Sequence, residues 1–268
     1  LRWLGAPDWL SGGRAFDIPF TDEPPAVLAR ARAAAVSIPA DINVMRVERR
    51  RKKLLIADMD STIIGCECLD EIADMAGFGP HVAAITERAM RGEVAFEPAL
   101  RERVALLKGF PVSLLQRVYA ERVRLNPGAM TLVATMRAHG ARCILVSGGF
   151  RFFTSRVASE AGFDSEQANI LLDDGVNLTG EVAEPILGRE AKLAALEEAV
   201  AQQGIEFIDT LAVGDGANDL AMIGRAGLGV AYHAKPIVAA AAHASIAHGD
   251  LTALLYLQGY RDEEIVRR

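Results

Sequence analysis

Apolar and polar positions along this chain follow two rhythms. Short apolar runs, Leu54–Ala57, Cys143–Val146, Thr210–Val213 and Leu228–Ala231, are set off by polar or glycine-rich residues. Runs of that length read as strands buried on both faces, as in a parallel sheet. Between them lie longer stretches with apolar residues three and four apart, predicting helices over 130–139, 150–161, 189–203 and 220–226. Strands alternating with helices at this spacing predict an α/β fold with a doubly wound parallel sheet. Ile170–Leu172 and Val176–Leu178 flank Asp173-Asp174-Gly175, a hairpin signal.

The alternation is interrupted after the first strand. Residues 69–76, 81–91, 96–107 and 113–123 all carry helical spacing, with Pro98 acceptable in a first turn and a turn at Asn126-Pro127-Gly128. An inserted α-helical cap is expected over residues 66–126, with residues 51–65 and 127–268 forming the sheet-bearing core. Phe96, Leu100, Arg103 and Leu107 share one stripe, and from pattern alone Arg103 reads as a cation snorkelling from its edge. Residues 1–50 are broken by prolines and glycines around one helix, 26–36, followed by a short strand. The basic run Arg46–Lys53 then reads as a solvated linker.

Charge and composition narrow the partners. A net charge of −6 and a pI near 5.5 disfavour a nucleic-acid binder. No uncharged apolar stretch reaches membrane-spanning length, so no membrane partner is expected. Cys66, Cys68 and Cys143 are too few for a disulfide framework and fit a reducing cytoplasm. Cys66-x-Cys68 lacks the second ligand cluster that a thiolate metal site needs. The chain opens on Leu1 with no basic-then-apolar leader, so an incompletely represented amino terminus is expected. Oligomeric state is left open, a homodimer included.

The chemistry gathers at three strand ends: Asp58-Met59-Asp60-Ser61-Thr62, Ser147-Gly148-Gly149 and Gly214-Asp215-Gly216-Ala217-Asn218-Asp219. Residues i and i+2 of an extended chain face the same way, so Asp58 and Asp60 should emerge together. Parallel strands put all three loops on one edge, where such sheets bind ligands. Several carboxylates there suit a hard cation, Mg²⁺ first for phosphate chemistry. Ser147 and the following glycines, expected to open a helix, suit an anion, as does Lys192 near another helix start.

In order and spacing, Asp58-x-Asp60-x-Thr62, Ser147, Lys192 and Gly214-Asp215-Gly216-x-x-Asp219 resemble the four motifs of the haloacid dehalogenase-like (HAD) phosphohydrolases. Within that superfamily the loops, together with Glu67 and the segments Arg91–Phe96 and Arg103–Lys108, are similar to the phosphoserine phosphatase family over about residues 52–250. The resemblance implies a Rossmannoid, HAD-like core and Mg²⁺-dependent hydrolysis of O-phospho-L-serine through an aspartyl-phosphate. It implies Asp58 as nucleophile and Asp60 as general acid and base. Mg²⁺ would sit on Asp58, the Asp60 carbonyl and Asp215. Ser147, Gly148 and Lys192 would bind the phosphoryl group and Asn218 would contact the substrate, with Asp219 in support. In the cap, Glu67 would face the substrate ammonium and Arg103 its carboxylate, with Phe96 beside them. Some relatives carry an amino-terminal ACT-like domain, of which residues 1–50 would be part. Phosphoryl transfer to another alcohol such as homoserine, or hydrolysis of another small ester, is the competing expectation.

Overall fold

The computed structural model describes residues 5–90 and 93–268, so Arg91 and Gly92 of the 91–96 motif lie outside the described residues. The short amino-terminal strands β1 (Asp8–Ser11) and β2 (Ala15–Asp17) form a hairpin, followed by helix α1 (Pro24–Ala34). No strand follows α1: residues 37–45 run as irregular chain. Their polar side chains are the reason. Asp41 accepts from the amides of Ala247, His248 and Gly249, and Asn43 exchanges two bonds with Ser245.

The core is a six-stranded, all-parallel sheet: β3 (Leu54–Ala57), β4 (Arg142–Phe150), β5 (Ser165–Asn169), β8 (Thr210–Gly214), β9 (Leu228–Tyr232) and β10 (Ala244–Ile246). They stand in the order β10-β9-β8-β3-β4-β5. The chain leaves β3 toward β4 and β5, then returns to β8 on the other flank, so the winding reverses between β3 and β8. In open α/β sheets the crevice at such a reversal is the ligand site.

The continuous apolar runs are explained by burial on both faces. Leu55, Ala57, Cys143, Leu145, Leu211 and Val213 face one core, while Leu54, Ile56, Ile144, Val146 and Ala212 face the other. Helices α6 (Ala129–Ala138), α7 (Arg151–Ala161) and α11 (Ala253–Leu257) pack into the first; α8 (Arg189–Gln203), α9 (Leu220–Arg225) and α10 (Pro236–Ala241) pack into the second. No helix among the described residues is long and apolar enough to cross a membrane.

Four helices lie between β3 and α6: α2 (Cys68–Ala76), α3 (Gly79–Met90), α4 (Phe96–Ala105) and α5 (Ser113–Arg122). The chain enters and leaves them side by side. Ile64 bridges Leu125, Asn126 N–H donates to Ile63 O (2.8 Å), and the Asn126 side chain donates to Thr62 O and Ile64 O. The hairpin β6 (Leu171–Asp173) with β7 (Leu178–Val182) holds the same helices from the core side. Gly109 N–H donates to Leu178 O, Leu178 N–H to Phe110 O and Val112 N–H to Val176 O, all at 2.8–2.9 Å.

The basic run differs most from its sequence reading. Instead of a solvated linker it is a clamp across the amino edge of the sheet. Arg49 pairs with Asp209 (2.6 Å) and Glu206, Arg51 with Glu264 (2.7 Å) and Lys53 with Asp209 (3.3 Å). Arg50 grips Asp17 with both terminal nitrogens and donates to the carbonyls of Tyr256 and Leu257. Long cationic side chains look alike in sequence whether solvated or paired, because their carboxylate partners lie more than 30 residues away.

Candidate active site

Backbone geometry after β3 explains how two aspartates reach one place. Asp58 is extended (φ −70°, ψ 157°) and its N–H still donates to Val213 O at 3.0 Å, so the ladder continues through it. Asp60 is extended too (φ −65°, ψ 136°). The chain then turns sharply at Ser61, whose φ of 55° is left-handed and costly for a residue other than glycine. A bond from Ile64 N–H to Met59 O (3.0 Å) closes the loop.

The two carboxylates are held differently. Asp58 is buried and its Oδ1 lies 2.6 Å from Lys192 Nζ. The Lys192 ammonium also bonds Asp219 Oδ1 at 2.6 Å, and all three side chains are almost wholly buried. Asp60 instead accepts from Cys68 N–H at Oδ1 (3.0 Å) and from the Ser147 hydroxyl at Oδ2 (3.2 Å). Burial raises the proton affinity of both. Asp58 is pushed well above the usual carboxylate range by burial and then by Asp219, against the pull of Lys192. Asp60 is raised by burial, against the Cys68 and Ser147 bonds. Burial alone would lower Lys192, but Asp58 and Asp219 outweigh it and keep the ammonium protonated.

A third carboxylate completes the cluster. One oxygen each of Asp58, Asp215 and Asp219 lie within 4.8 Å of one another. Asp215 accepts from the Thr62 hydroxyl at 3.3 Å and is pushed up to about 6 by burial and then by Asp219. Three carboxylates against one ammonium leave a charge deficit, and an all-oxygen donor set fits a hard divalent cation. The Asp60 carboxylate stands outside this cluster, engaged by Cys68 and Ser147.

Glycines make the loops fit. A Cβ on Gly214 or Gly216 would collide with Asp219 or Asn218, respectively, which fold back over the loop. Gly216 N–H donates to Asp219 Oδ2 at 3.0 Å. A Cβ on Gly149 would lie 2.8 Å from Asp60 Oδ2, and one on Gly148 3.3 Å from the Phe96 ring. The Ser147 loop does not open a helix as expected. Residues 147–150 extend β4, α7 starts at Arg151, and the Gly149 amide is taken by Ser147 Oγ at 2.8 Å.

Glu67 interacts with Asp60 through space, and Arg103 with Glu67. Glu67 reaches solvent on one side but is pushed up to about 7 by the protein mass behind it and then by Asp60. It accepts from the Ser61 hydroxyl at 2.6 Å. Half-buried Arg103 donates to Ala99 O (3.2 Å) and Thr86 Oγ1 (3.4 Å); burial lowers it, opposed by Asp70 and Glu67. The structure thus gathers Asp58, Asp60, Ser147, Lys192, Asp215 and Asp219 in one network, with Glu67, Phe96, Gly148, Asn218 and Arg103 around it. Ser61, Thr62 and Cys68 join it without an assigned role in the sequence reading. The adjacent hydroxyls of Ser61 and Thr62 were a visible signal; the Cys68 bond, made by a backbone amide, was not.

Comparison with known proteins identifies the family. The model of the haloacid dehalogenase-like hydrolase family matches residues 55–224. A phosphoserine phosphatase of Polaromonas sp. is 50% identical over 210 residues, 76% of this chain and 89% of that protein. One of Archaeoglobus fulgidus is 44% identical over 205 residues; the match spans 76% of this chain but only 59% of that relative. A phosphoserine phosphatase solved as an analogue of its phospho-aspartyl intermediate superposes with a TM-score of 0.71 at 39% identity, covering 77% of this chain and 98% of that one. Sheet order, loop order and sequence match agree, and the chain belongs to the haloacid dehalogenase-like hydrolase family.

Proposed function

We propose that the chain is a cytoplasmic, Mg²⁺-dependent phosphoserine phosphatase, hydrolysing O-phospho-L-serine to L-serine and phosphate in the last step of serine biosynthesis. The observation that carries this reading is the division of labour within one loop. Asp58 is ion-paired to Lys192, whereas Asp60, partly buried, makes no ion pair among the described residues and is hydrogen-bonded to Cys68 and Ser147. A nucleophile needs its charge and a general acid needs its proton.

In this reading an Asp58 oxygen attacks phosphorus, the bond from phosphorus to the serine oxygen breaks, and Asp60 delivers its proton to that oxygen. Water then attacks the aspartyl-phosphate while Asp60 takes back a proton, releasing phosphate. Lys192 and Ser147 hold phosphoryl oxygens. Mg²⁺ on Asp58, Asp215 and the Asp60 carbonyl would supply charge neutralisation at the phosphate. Residues 66–126 act as the cap that reads the amino acid, Glu67 taking its ammonium and Arg103, a planar two-pronged donor, its carboxylate. The relatives named above support the substrate class.

The test is phosphate release from a panel of phosphoesters, L-phosphoserine among them, with and without Mg²⁺ and with added alcohols. Preference for L-phosphoserine and loss of turnover on chelation are expected. Equal rates across the panel would refute the substrate, and stoichiometric phosphorylation of an alcohol would refute hydrolysis.

A further inference from the structure

At the sheet edge opposite the catalytic loops, the chain lines a half-open cavity of about 330 Å³, where β3, β8 and β9 begin. Arg46, Glu48, Arg50, Lys52, Ile208 and His243 contribute to its wall. The donors there are only partly used. Lys52 is buried, 8% exposed, and its ammonium donates to the carbonyls of Arg49 (2.8 Å) and Ile208 (2.7 Å), leaving a third N–H. No carboxylate among the described residues lies within ion-pair distance of it. Asp209, which acts on it through space, is occupied by Arg49 and Lys53.

His243 supplies a second donor. Its Nδ1 accepts from Gly229 N–H at 2.9 Å, so the neutral ring carries its proton on Nε2, for which no protein acceptor stands among the described residues. Burial and the neighbouring Lys52 keep that ring neutral by lowering its proton affinity. Arg46 brings a guanidinium with no hydrogen bond or ion pair among the described residues. Arg50 is a neutralised wall, spent on Asp17 and two carbonyls. Glu48 is the one acidic group of the lining.

A buried ammonium without a carboxylate partner is costly, and an anion received into the cavity relieves that cost. We infer that this cavity is a binding site for a small oxyanion, phosphate- or carboxylate-bearing and of amino-acid size, held by Lys52, the His243 Nε2–H and Arg46. The site is separate from the catalytic one, since β3 and β8 begin at this cavity and end at Asp58 and Asp215.

The test follows the His243 ring by proton NMR in the full chain, its resonances assigned by their loss in His243→Gln. Inorganic phosphate and L-malate are titrated separately at constant ionic strength. Saturable movement of the ring resonances by either probe is expected, phosphate marking a phosphate-bearing ligand and malate a dicarboxylate. Arg46→Glu should weaken that probe about tenfold or more, the cost of one charged hydrogen bond. A non-saturating drift with both probes, or equal affinity in wild type and Arg46→Glu, would overturn the site.

Discussion

Replacing Lys192 by methionine isolates the electrostatics of the catalytic cluster, because the two side chains are close in length and differ chiefly in charge. In the native protein the ammonium lies 2.6 Å from Asp58 and from Asp219, with Asp215 completing the cluster. Without it, two buried carboxylates and the half-buried Asp215 face one another with no cation. Such a cluster does not stay fully ionised; it takes up a proton. In the metal-free variant at least one carboxylate more than in wild type binds a proton in the folded state that it does not bind unfolded.

The sign follows from linkage. A carboxylate whose folded pKa is raised costs nothing below its unfolded value near 4. Above that, the cost grows by about 1.4 kcal/mol per pH unit until the pH passes the folded pKa. Between pH 5.5 and pH 8 one such group therefore adds up to about 3.4 kcal/mol to the cost. At roughly 2–4 °C per kcal/mol, the Tm deficit of the variant in EDTA should be about 7–14 °C larger at pH 8 than at pH 5.5 and should close only toward pH 4. Circular-dichroism melts of both proteins across that range are the measurement. A Tm deficit independent of pH would refute the reasoning, since lost packing alone does not titrate.

Four further outcomes follow from the same geometry. Asp58→Asn should abolish turnover while leaving the far-UV spectrum and the melt essentially intact; near-normal phosphate release would rule out covalent catalysis by Asp58. Arg103→Ala should lower kcat/KM for phosphoserine about a hundredfold, the worth of a charge-assisted pair, and spare a small generic phosphate ester; equal losses on both would remove the carboxylate assignment. Gly149→Ala puts a methyl group 2.8 Å from Asp60 Oδ2 and 3.0 Å from Ser147 Oγ. It should reduce kcat about a hundredfold with little change in KM, as expected for a misplaced catalytic group, and unchanged steady-state kinetics would show that the loop yields freely. Arg50→Ala strips Asp17 and two carbonyls of their donor, and should lower stability by about 2 kcal/mol and speed proteolysis before residue 50; a digest like that of wild type would mean that the hairpin is held by other contacts.

How much was legible depended on whether partners were local. The four central strands of the sheet were, because burial on both faces leaves unbroken apolar runs; the edge strands β5, polar and half-buried, and β10, three residues long, were not. The three catalytic loops were, because polar residues at strand ends in a parallel sheet must share an edge. Ser147 was placed on the right loop but in the wrong local structure: Phe150 stays extended, and α7 begins one residue later. The contacts of the basic run were not legible, since Arg50 finds Asp17 33 residues earlier and Tyr256 206 residues later. Nor was the hold of β6 and β7 on the helices between β3 and α6, made by backbone groups that carry no side-chain signature.

The sequence spacing placed Asp58 and Asp60 on one side of the strand but gave no physical ground for telling them apart; the roles came from resemblance. The structure supplies that ground. Cluster repulsion acts on Asp58, which is pushed up by Asp219, while Asp60 is raised chiefly by burial and lies outside the cluster. Positive charge added among Asp58, Asp215 and Asp219 therefore meets the Asp58 carboxylate directly, while the Asp60 carboxylate lies outside that cluster. The proposed pairing of a charged nucleophile with a protonated acid thus needs no difference in the carboxylates themselves. It follows from which of them the clustered carboxylates surround, while burial holds the proton affinity of Asp60 up against the Cys68 and Ser147 bonds, which pull it down.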